Sequence, residues 1–151
     1  MRAKSGFTLV EILIVVVILG ILAAIVIPQF TDASTQARES SLCSDLQTMR
    51  SQIELYKVQH KDVMPALVGE TSADFETRMT TKTDIDGNAG TDYGPYLQKI
   101  ATNPFNNFNT VRVDGAAAGA NTDGWRFDTT TGQVHADDTD SSPDGTAHTA
   151  L

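Results

Sequence analysis

The sequence predicts an α+β protein, in which a long N-terminal helix with a membrane-spanning first half packs on a small antiparallel β-sheet head. Three observations lead to this prediction. Residues 7–27 are almost entirely apolar, apolar side chains recur at helical spacing as far as residue 60, and three short segments between residues 110 and 136 alternate in polarity.

Residues 7–27 have the length and composition of a membrane-spanning helix. Glu11 is the only ionisable side chain among them, and at the helical rise this segment spans roughly 30 Å. A conventional signal peptide is disfavoured, because the apolar stretch continues past the poor cleavage site at Leu22-Ala23-Ala24. Arg2 and Lys4 precede it, which predicts a cytoplasmic N-terminus and places the bulk of the chain outside the cytoplasm.

Glu11 is the unusual residue of this segment, because an ionised group in hydrocarbon costs on the order of a few kcal/mol. One interpretation is a tolerated acid at the membrane edge. The other is that the chain is cut between Gly6 and Phe7, which places the new amino group of Phe7 four residues away on the same helix face. The amino group of a neighbouring copy would serve equally well. Residue chemistry alone leaves these interpretations open.

The helix continues beyond the membrane segment and becomes amphipathic. We predict one helix over residues 7–59, bent or locally opened at Pro28 and Gly20. One face of residues 28–60 carries apolar side chains at spacings of three and four residues, which indicates core packing. These stripe positions are Leu42, Leu46, Met49, Ile53, Tyr56 and His60.

Beyond the helix, residues 61–136 are predicted to form the globular head. Ser72 is expected to cap a short helix that presents Phe75 and Met79 on one face. The expected strands are residues 110–114, 124–128 and 133–136, and Trp125 and Phe127 are expected to cover the amphipathic helix half. The turn at 129–132 suits a hairpin, whereas residues 84–93 and 115–123 are expected to be loops.

Composition excludes some functions. The formal net charge of −8 disfavours nucleic-acid binding. An enzyme is not expected, because the three histidines stand apart and no catalytic motif is present. Cys43 has no second cysteine to pair with. Two acidic clusters are weak calcium candidates, although both are more often solvated loops. The clusters consist of Asp84, Asp86 and Asp92, and of Asp137, Asp138, Asp140 and Asp144.

The N-terminal residues resemble a known family. Lys4-Ser5-Gly6-Phe7-Thr8-Leu9-Val10-Glu11, followed by an aliphatic stretch that ends at Pro28, is similar to the processing and assembly segment of type IV prepilins and type II secretion pseudopilins. The resemblance implies a pilin-like fold and a prepilin peptidase that cuts after Gly6 and methylates the amino group of Phe7. It also implies that Glu11 is needed for subunit addition.

Further along the chain, a weaker resemblance points to the major pseudopilin of type II secretion. Gly94-Pro95-Tyr96-Leu97 and Asn103-Pro104-Phe105-Asn106 resemble that family's segment leading into the sheet, although three of the last four residues depart from its Asp-Pro-Trp-Gly. The family's C-terminal loop binds calcium, which implies the same for the C-terminal acidic cluster here. The C-terminal cysteine pair of many type IVa pilins is missing, which favours a pseudopilin.

The resemblance implies residues 1–6 as a leader peptide. The composition of residues 137–151, which is acidic and rich in Ser, Thr and Gly, predicts a C-terminal tail that is solvated or disordered. The function that the resemblance implies is a structural subunit of a periplasmic pseudopilus that drives protein export. The implied partners are further copies of the chain, the prepilin peptidase, the inner-membrane assembly platform and membrane lipid. The alternatives are a surface pilus subunit for adhesion, motility or DNA uptake, and a ligand-binding head on a membrane anchor.

Overall fold

The computed structural model describes residues 6–151, without the side chains of residues 28 and 32. Three helical elements and three strands follow in the order α1, α2, β1, β2, β3 and the short 3-10 helix η1. The chain divides into two compact units, an N-terminal unit, Met1–Ala37, and a C-terminal unit, Arg38–Leu151. Helix α1, Leu9–Gln59, contributes residues to both.

In the N-terminal unit, α1 begins at Leu9, two residues later than the predicted start at Phe7. Every residue from 6 to 27 is exposed, so no other part of the described chain covers this segment. The helix is continuous through Gly20 and Pro28, although a proline inside a helix removes one backbone hydrogen bond. The bend expected at Pro28 stays a prediction.

The C-terminal unit has the core predicted from the amphipathic stripe. The six stripe positions from Leu42 to His60 are all at most 1% exposed. Phe75, Trp125 and Phe127 are fully buried in the same unit, and the rings of Phe75 and Phe127 lie 4.9 Å apart. Together these residues confirm that the second half of α1 packs on the head.

Helix α2, Ser72–Thr80, carries the predicted buried face of Phe75 and Met79. The expected cap at Ser72 is wrong by one residue, because the N-cap is Thr71. Asp74 accepts hydrogen bonds from the backbone and hydroxyl of Thr71, both at 2.8 Å. A threonine followed three residues later by an acid forms this reciprocal cap, and this pairing favours Thr71 over Ser72.

The three strands lie at the predicted positions, but the sheet is mixed and not wholly antiparallel. Strand β2, Trp125–Phe127, lies between β1, Val111–Val113, and β3, Val134–Ala136. It pairs parallel with β1 and antiparallel with β3. A tight turn at 129–132 requires an antiparallel partner, whereas the loop at 114–124 is long enough for the chain to cross over and return in parallel.

Residues 137–151 pack against the rest of the C-terminal unit, which corrects the expectation of a solvated or disordered tail. Asp137, Asp138 and His148 are at most 1% exposed. Helix η1, His148–Ala150, contacts β3, and Arg50 of α1 donates a hydrogen bond of 2.7 Å to the Leu151 carbonyl. The acidic composition did not predict this packing, because it does not show that Asp137 and Asp138 have buried hydrogen-bond partners.

Candidate assembly site

The candidate assembly site is the start of α1, where the cleavage junction, Glu11 and the apolar surface adjoin. Thr8 precedes the helix and acts as its cap. The Glu11 carboxylate accepts hydrogen bonds of 2.7 Å from both the backbone and the hydroxyl of Thr8. The Thr8 hydroxyl in turn accepts the Glu11 amide at 3.3 Å. This reciprocal arrangement satisfies backbone donors that a helix start otherwise leaves unpaired.

Thr8 is the residue that sequence reasoning missed. The sequence left open whether Glu11 is a tolerated acid or pairs, after cleavage, with the amino group of Phe7 or of a neighbouring copy. In the uncut chain the carboxylate instead bonds to Thr8, and the signal for this contact was present in the spacing Thr8-Leu9-Val10-Glu11. The charge of Glu11 is thus hydrogen-bonded but carries no neutralising cation within the part of the chain that the structure describes.

The apolar surface that follows Glu11 is open. Relative exposures of the large side chains between residues 12 and 27 range from 41% to 64%. An apolar groove of about 570 Å³ runs along the first turns. Its lining consists of Phe7, Thr8, Leu9, Ile12, Leu13, Val16 and Val17. Helix α1 is long and apolar enough to cross a membrane, with a mean hydropathy of 3.3 in its most apolar window.

The predicted processing residues lie at the exposed end of this site. Gly6 and Phe7 precede the helix, and Phe7 is 83% exposed. Apart from its neighbours in the chain, no heavy atom of the described residues lies within 4 Å of the position that a side chain at Gly6 would occupy. The leader residues Arg2, Lys4 and Ser5 lie outside the described residues. An open junction of this kind is sterically accessible to a processing enzyme.

The two acidic clusters are organised by protein contacts. Asp84 accepts backbone hydrogen bonds of 2.9 Å from Asp86 and Asn88. The Asp138 carboxylate accepts a hydrogen bond of 2.7 Å from the side-chain amide of Asn103. Within residues 6–151 no group of three or more histidine, cysteine or acidic side chains is arranged to hold a metal ion. Calcium binding stays a prediction.

The three histidines occupy separate places in the C-terminal unit. His60 is buried, stacks on Tyr56 at 3.8 Å and bonds to Thr83 at 2.9 Å. His135 is half-buried and lies between the buried residues Val134 and Ala136 on β3. Burial, reinforced by the charge of Arg50, lowers its pKa below the usual histidine range.

His148 links the C-terminal residues to helix α1. Its two ring nitrogens lie 2.7 Å from Asp138 Oδ1 and 3.0 Å from Glu39 Oε2. Glu39 also accepts a hydrogen bond from Ser142. These contacts have a structural role, since they join α1 to a C-terminal segment that is more than 100 positions away in sequence.

Comparisons with known proteins support the N-terminal assignment. Residues 1–27 match the family model of the prokaryotic N-terminal methylation motif. Type II secretion system core protein G of Pseudomonas aeruginosa is 33% identical over 112 residues, which is 70% of this chain and 71% of that protein. The protein of the same name in Vibrio cholerae is 30% identical over 107 residues, which is 71% of this chain and 69% of its own length.

A pilus protein is also similar. The type IV narrow pilus major component PilA5 of Thermus thermophilus is 36% identical over 99 residues, which is 61% of this chain and 84% of that protein. No solved structure matches the chain significantly.

Proposed function

Because the chain belongs to the family of type IV pilins and type II secretion pseudopilins, we propose that it is the major pseudopilin of a type II secretion system. It is a structural subunit of a pilus-like filament, anchored in the cell envelope by one apolar helix. The observation that carries the proposal is the exposed apolar segment at residues 9–27, which contains a hydrogen-bonded acid near its start.

The exposed apolar segment suits such a subunit both in the membrane and in the assembled filament. Exposed side chains of this kind are stable in lipid, where helices need no covering by their own chain. When many copies leave the membrane, the same surfaces must be buried against one another. A contact that relates different faces of identical copies does not close on itself, and therefore produces a helical filament.

Processing would give Glu11 a charged partner. We propose that a prepilin peptidase cuts after Gly6 and methylates the new amino group of Phe7. Glu11 would then exchange one or both of its Thr8 hydrogen bonds for an ion pair with that amino group, or with the amino group of a neighbouring copy. An ion pair shielded from water is stronger than one in water, so the pairing would favour correctly registered subunits.

The proposed location follows from the charge around the membrane segment. Arg2 and Lys4 lie before it, which favours a cytoplasmic N-terminus and a C-terminal unit in the periplasm. The inner-membrane assembly platform, the prepilin peptidase, membrane lipid and further copies of the chain are the proposed partners. A purely structural role, without catalysis, is part of the proposal.

A surface type IV pilus is the second candidate. The observation in its favour is the PilA5 relative, which this chain matches over 84% of that protein's length. Two relatives named type II secretion core protein G match a larger share of this chain. For this reason we prefer the pseudopilus to the surface pilus.

A complementation experiment tests the proposal. A strain that lacks the gene is complemented with the wild-type chain, Glu11→Ala or Glu54→Ala. Glu54 is the matched control, because it is an exposed acid on the same helix. We expect the wild type and Glu54→Ala to restore release of exported proteins, and Glu11→Ala to insert in the membrane without restoring it. Mass spectrometry of membrane extracts should find methylated Phe7 as the first residue of all three.

Three results would contradict the proposal. An N-terminus at Met1 would refute processing, and export restored by Glu11→Ala would refute the role of Glu11. Normal export in the deletion strain, together with loss of surface fibres, would replace the pseudopilus by the surface pilus.

A further inference from the structure

The loop at residues 114–124 is folded around the side chain of Arg112. Three backbone carbonyls face its guanidinium group. Nη1 donates to Asp114 O at 2.9 Å and to Ala116 O at 2.7 Å, and Nη2 donates to Ala117 O at 3.2 Å. Asp114 and Gly115 have φ angles of 53° and 78°, and these left-handed conformations turn the chain back over Arg112.

Two carboxylates complete the surroundings of the guanidinium. Asp137 Oδ1 accepts from Arg112 Nη2 at 2.6 Å, and Asp123 Oδ2 lies 4.0 Å from Arg112 Nε. The side chain of Arg112 is 17% exposed and that of Asp137 is not exposed at all. We call this oxygen-lined space, bounded by the backbone of residues 114–117 and by Asp123 and Asp137, the loop hollow.

Asp137 holds the far side of the same loop. Its carboxylate accepts backbone hydrogen bonds from Gly119 at 3.0 Å, Ala120 at 3.2 Å and Asp123 at 3.3 Å. Burial alone would raise the pKa of Asp137, but the hydrogen bond and charge of Arg112, with the amides of Ala120 and Asp123, hold that pKa below its usual range. One buried ion pair therefore fixes both halves of a loop that has no regular secondary structure.

Carbonyl and carboxylate oxygens that converge on one point form a site for a cation. Here the occupant is a planar guanidinium, whose fork of N–H donors reaches several acceptors at once. We propose that the loop hollow is a cation site filled by the chain's own Arg112 guanidinium, and that a chain without this side chain takes up a free guanidinium ion in its place. The proposal rests on these contacts alone and is independent of filament assembly.

Chemical rescue tests this site. The full-length chain in detergent micelles is prepared as wild type, Arg112→Ala, Arg112→Lys and Arg126→Ala. Arg126 is the matched control, because it is a similarly buried arginine that pairs with Asp128 outside the hollow. Thermal unfolding is followed by the fluorescence of Trp125, the chain's single tryptophan. Each protein is measured with methylguanidinium chloride at low millimolar concentration, and separately with calcium chloride and with sodium chloride at equal ionic strength.

We expect Arg112→Ala to lower Tm by about 10 °C, because it leaves the charge of the buried Asp137 without a cation. Methylguanidinium should recover about half of this loss in Arg112→Ala and shift neither the wild type nor Arg126→Ala. Arg112→Lys should lie between the two, since an ammonium group cannot reach all the acceptors. If Arg112→Ala is too unstable to study, Arg112→Lys provides the same comparison with a smaller loss and a smaller rescue.

Three outcomes would overturn the proposal. The first is a Tm of Arg112→Ala equal to that of the wild type. The second is equal methylguanidinium shifts in Arg112→Ala and Arg126→Ala, which would reveal a general solvent effect. The third is recovery of Arg112→Ala by calcium chloride but not by methylguanidinium, which would make the hollow a metal site.

Discussion

The two parts of α1 differ in whether their apolar side chains are covered by the chain itself, although they belong to one continuous helix. Between residues 9 and 27 every side chain is exposed. Between residues 42 and 60 an apolar stripe is buried to at least 99% by the rest of the C-terminal unit. The first part therefore depends on lipid or on other copies, whereas the second depends on its own chain. A single helix thus separates the energetics of assembly from the energetics of folding.

One acidic side chain from each unit shows a similar contrast, because Asp137 is buried and Glu11 is exposed. Asp137 in the C-terminal unit has an arginine partner within its own chain. Among the residues that the structure describes, Glu11 accepts its hydrogen bonds from Thr8, and these satisfy its oxygens without neutralising its charge. An ionised group at a membrane-embedded surface is stabilised by a cationic partner. The exposed position of Glu11, at the start of a segment that nothing in the C-terminal core requires, is consistent with its proposed role in assembly.

The largest expected effect that distinguishes the two parts comes from truncating α1 on its buried stripe. Ile53 is completely buried, so Ile53→Ala should lower the free energy of unfolding by about 2–5 kcal/mol, through lost burial and the cavity left behind. The measurement is denaturant unfolding of the full chain in detergent, followed by Trp125 fluorescence.

Leu13→Ala is the matched control on the exposed part of the same helix. Leu13 is 56% exposed, and its truncation should change the free energy of unfolding by less than about 0.5 kcal/mol. Equal losses for the two variants would mean that both parts of α1 unfold as one cooperative unit, and the comparison would fail.

The next effect concerns Asp137 and its dependence on pH. Its pKa is lower in the folded chain than in the unfolded chain, so its stabilising contribution is present above the unfolded pKa of about 3.9 and is lost as pH falls through the folded pKa. Asp137→Asn should therefore be less stable than the wild type by about 2 kcal/mol at neutral pH. The difference should shrink as the pH is lowered from about 5 toward 2.

Asp92→Asn is the control for this titration, because Asp92 is an exposed acid in the same unit. Denaturation series at several pH values should show a pH-dependent gap for Asp137→Asn and little gap for Asp92→Asn. A gap of constant size across this pH range would show that Asp137 acts through packing and not through its charge.

Local periodicity explains which parts of this fold could be predicted from the sequence. The stripe from Leu42 to His60 and the alternation around Trp125 and Phe127 encode burial within a few residues, and both were predicted correctly. The parallel pairing of β1 with β2 was not, because alternation fixes which face a residue occupies but not the direction of its partner strand. The length of the loop at residues 114–124 was the feature of the sequence that is compatible with a crossover between parallel strands.

Pairs distant in sequence explain most of what was missed. Arg112 bonds to Asp137 across 25 positions, and Glu39 bonds to His148 across 109. Composition made residues 137–151 look like a solvated acidic tail, since no sequence pattern reveals that an acid has a buried partner elsewhere. In the candidate assembly site, by contrast, Gly6, Phe7 and Glu11 lie within a few residues of one another, which is why a short motif could predict it.

The smallest effect compares two equivalent helix caps, one in each unit. Thr71 and Asp74 cap α2, and Thr8 and Glu11 cap α1 with the same reciprocal hydrogen bonds. Thr71→Ala should lower the free energy of unfolding by about 1 kcal/mol. Thr8→Ala should leave it unchanged and instead accelerate amide hydrogen exchange in the first turn of α1, because that cap stabilises a segment outside the folded core. A loss of equal size for Thr8→Ala would show that the start of α1 contributes to folding of the C-terminal unit, and Glu11 would then need a structural role besides its proposed role in assembly.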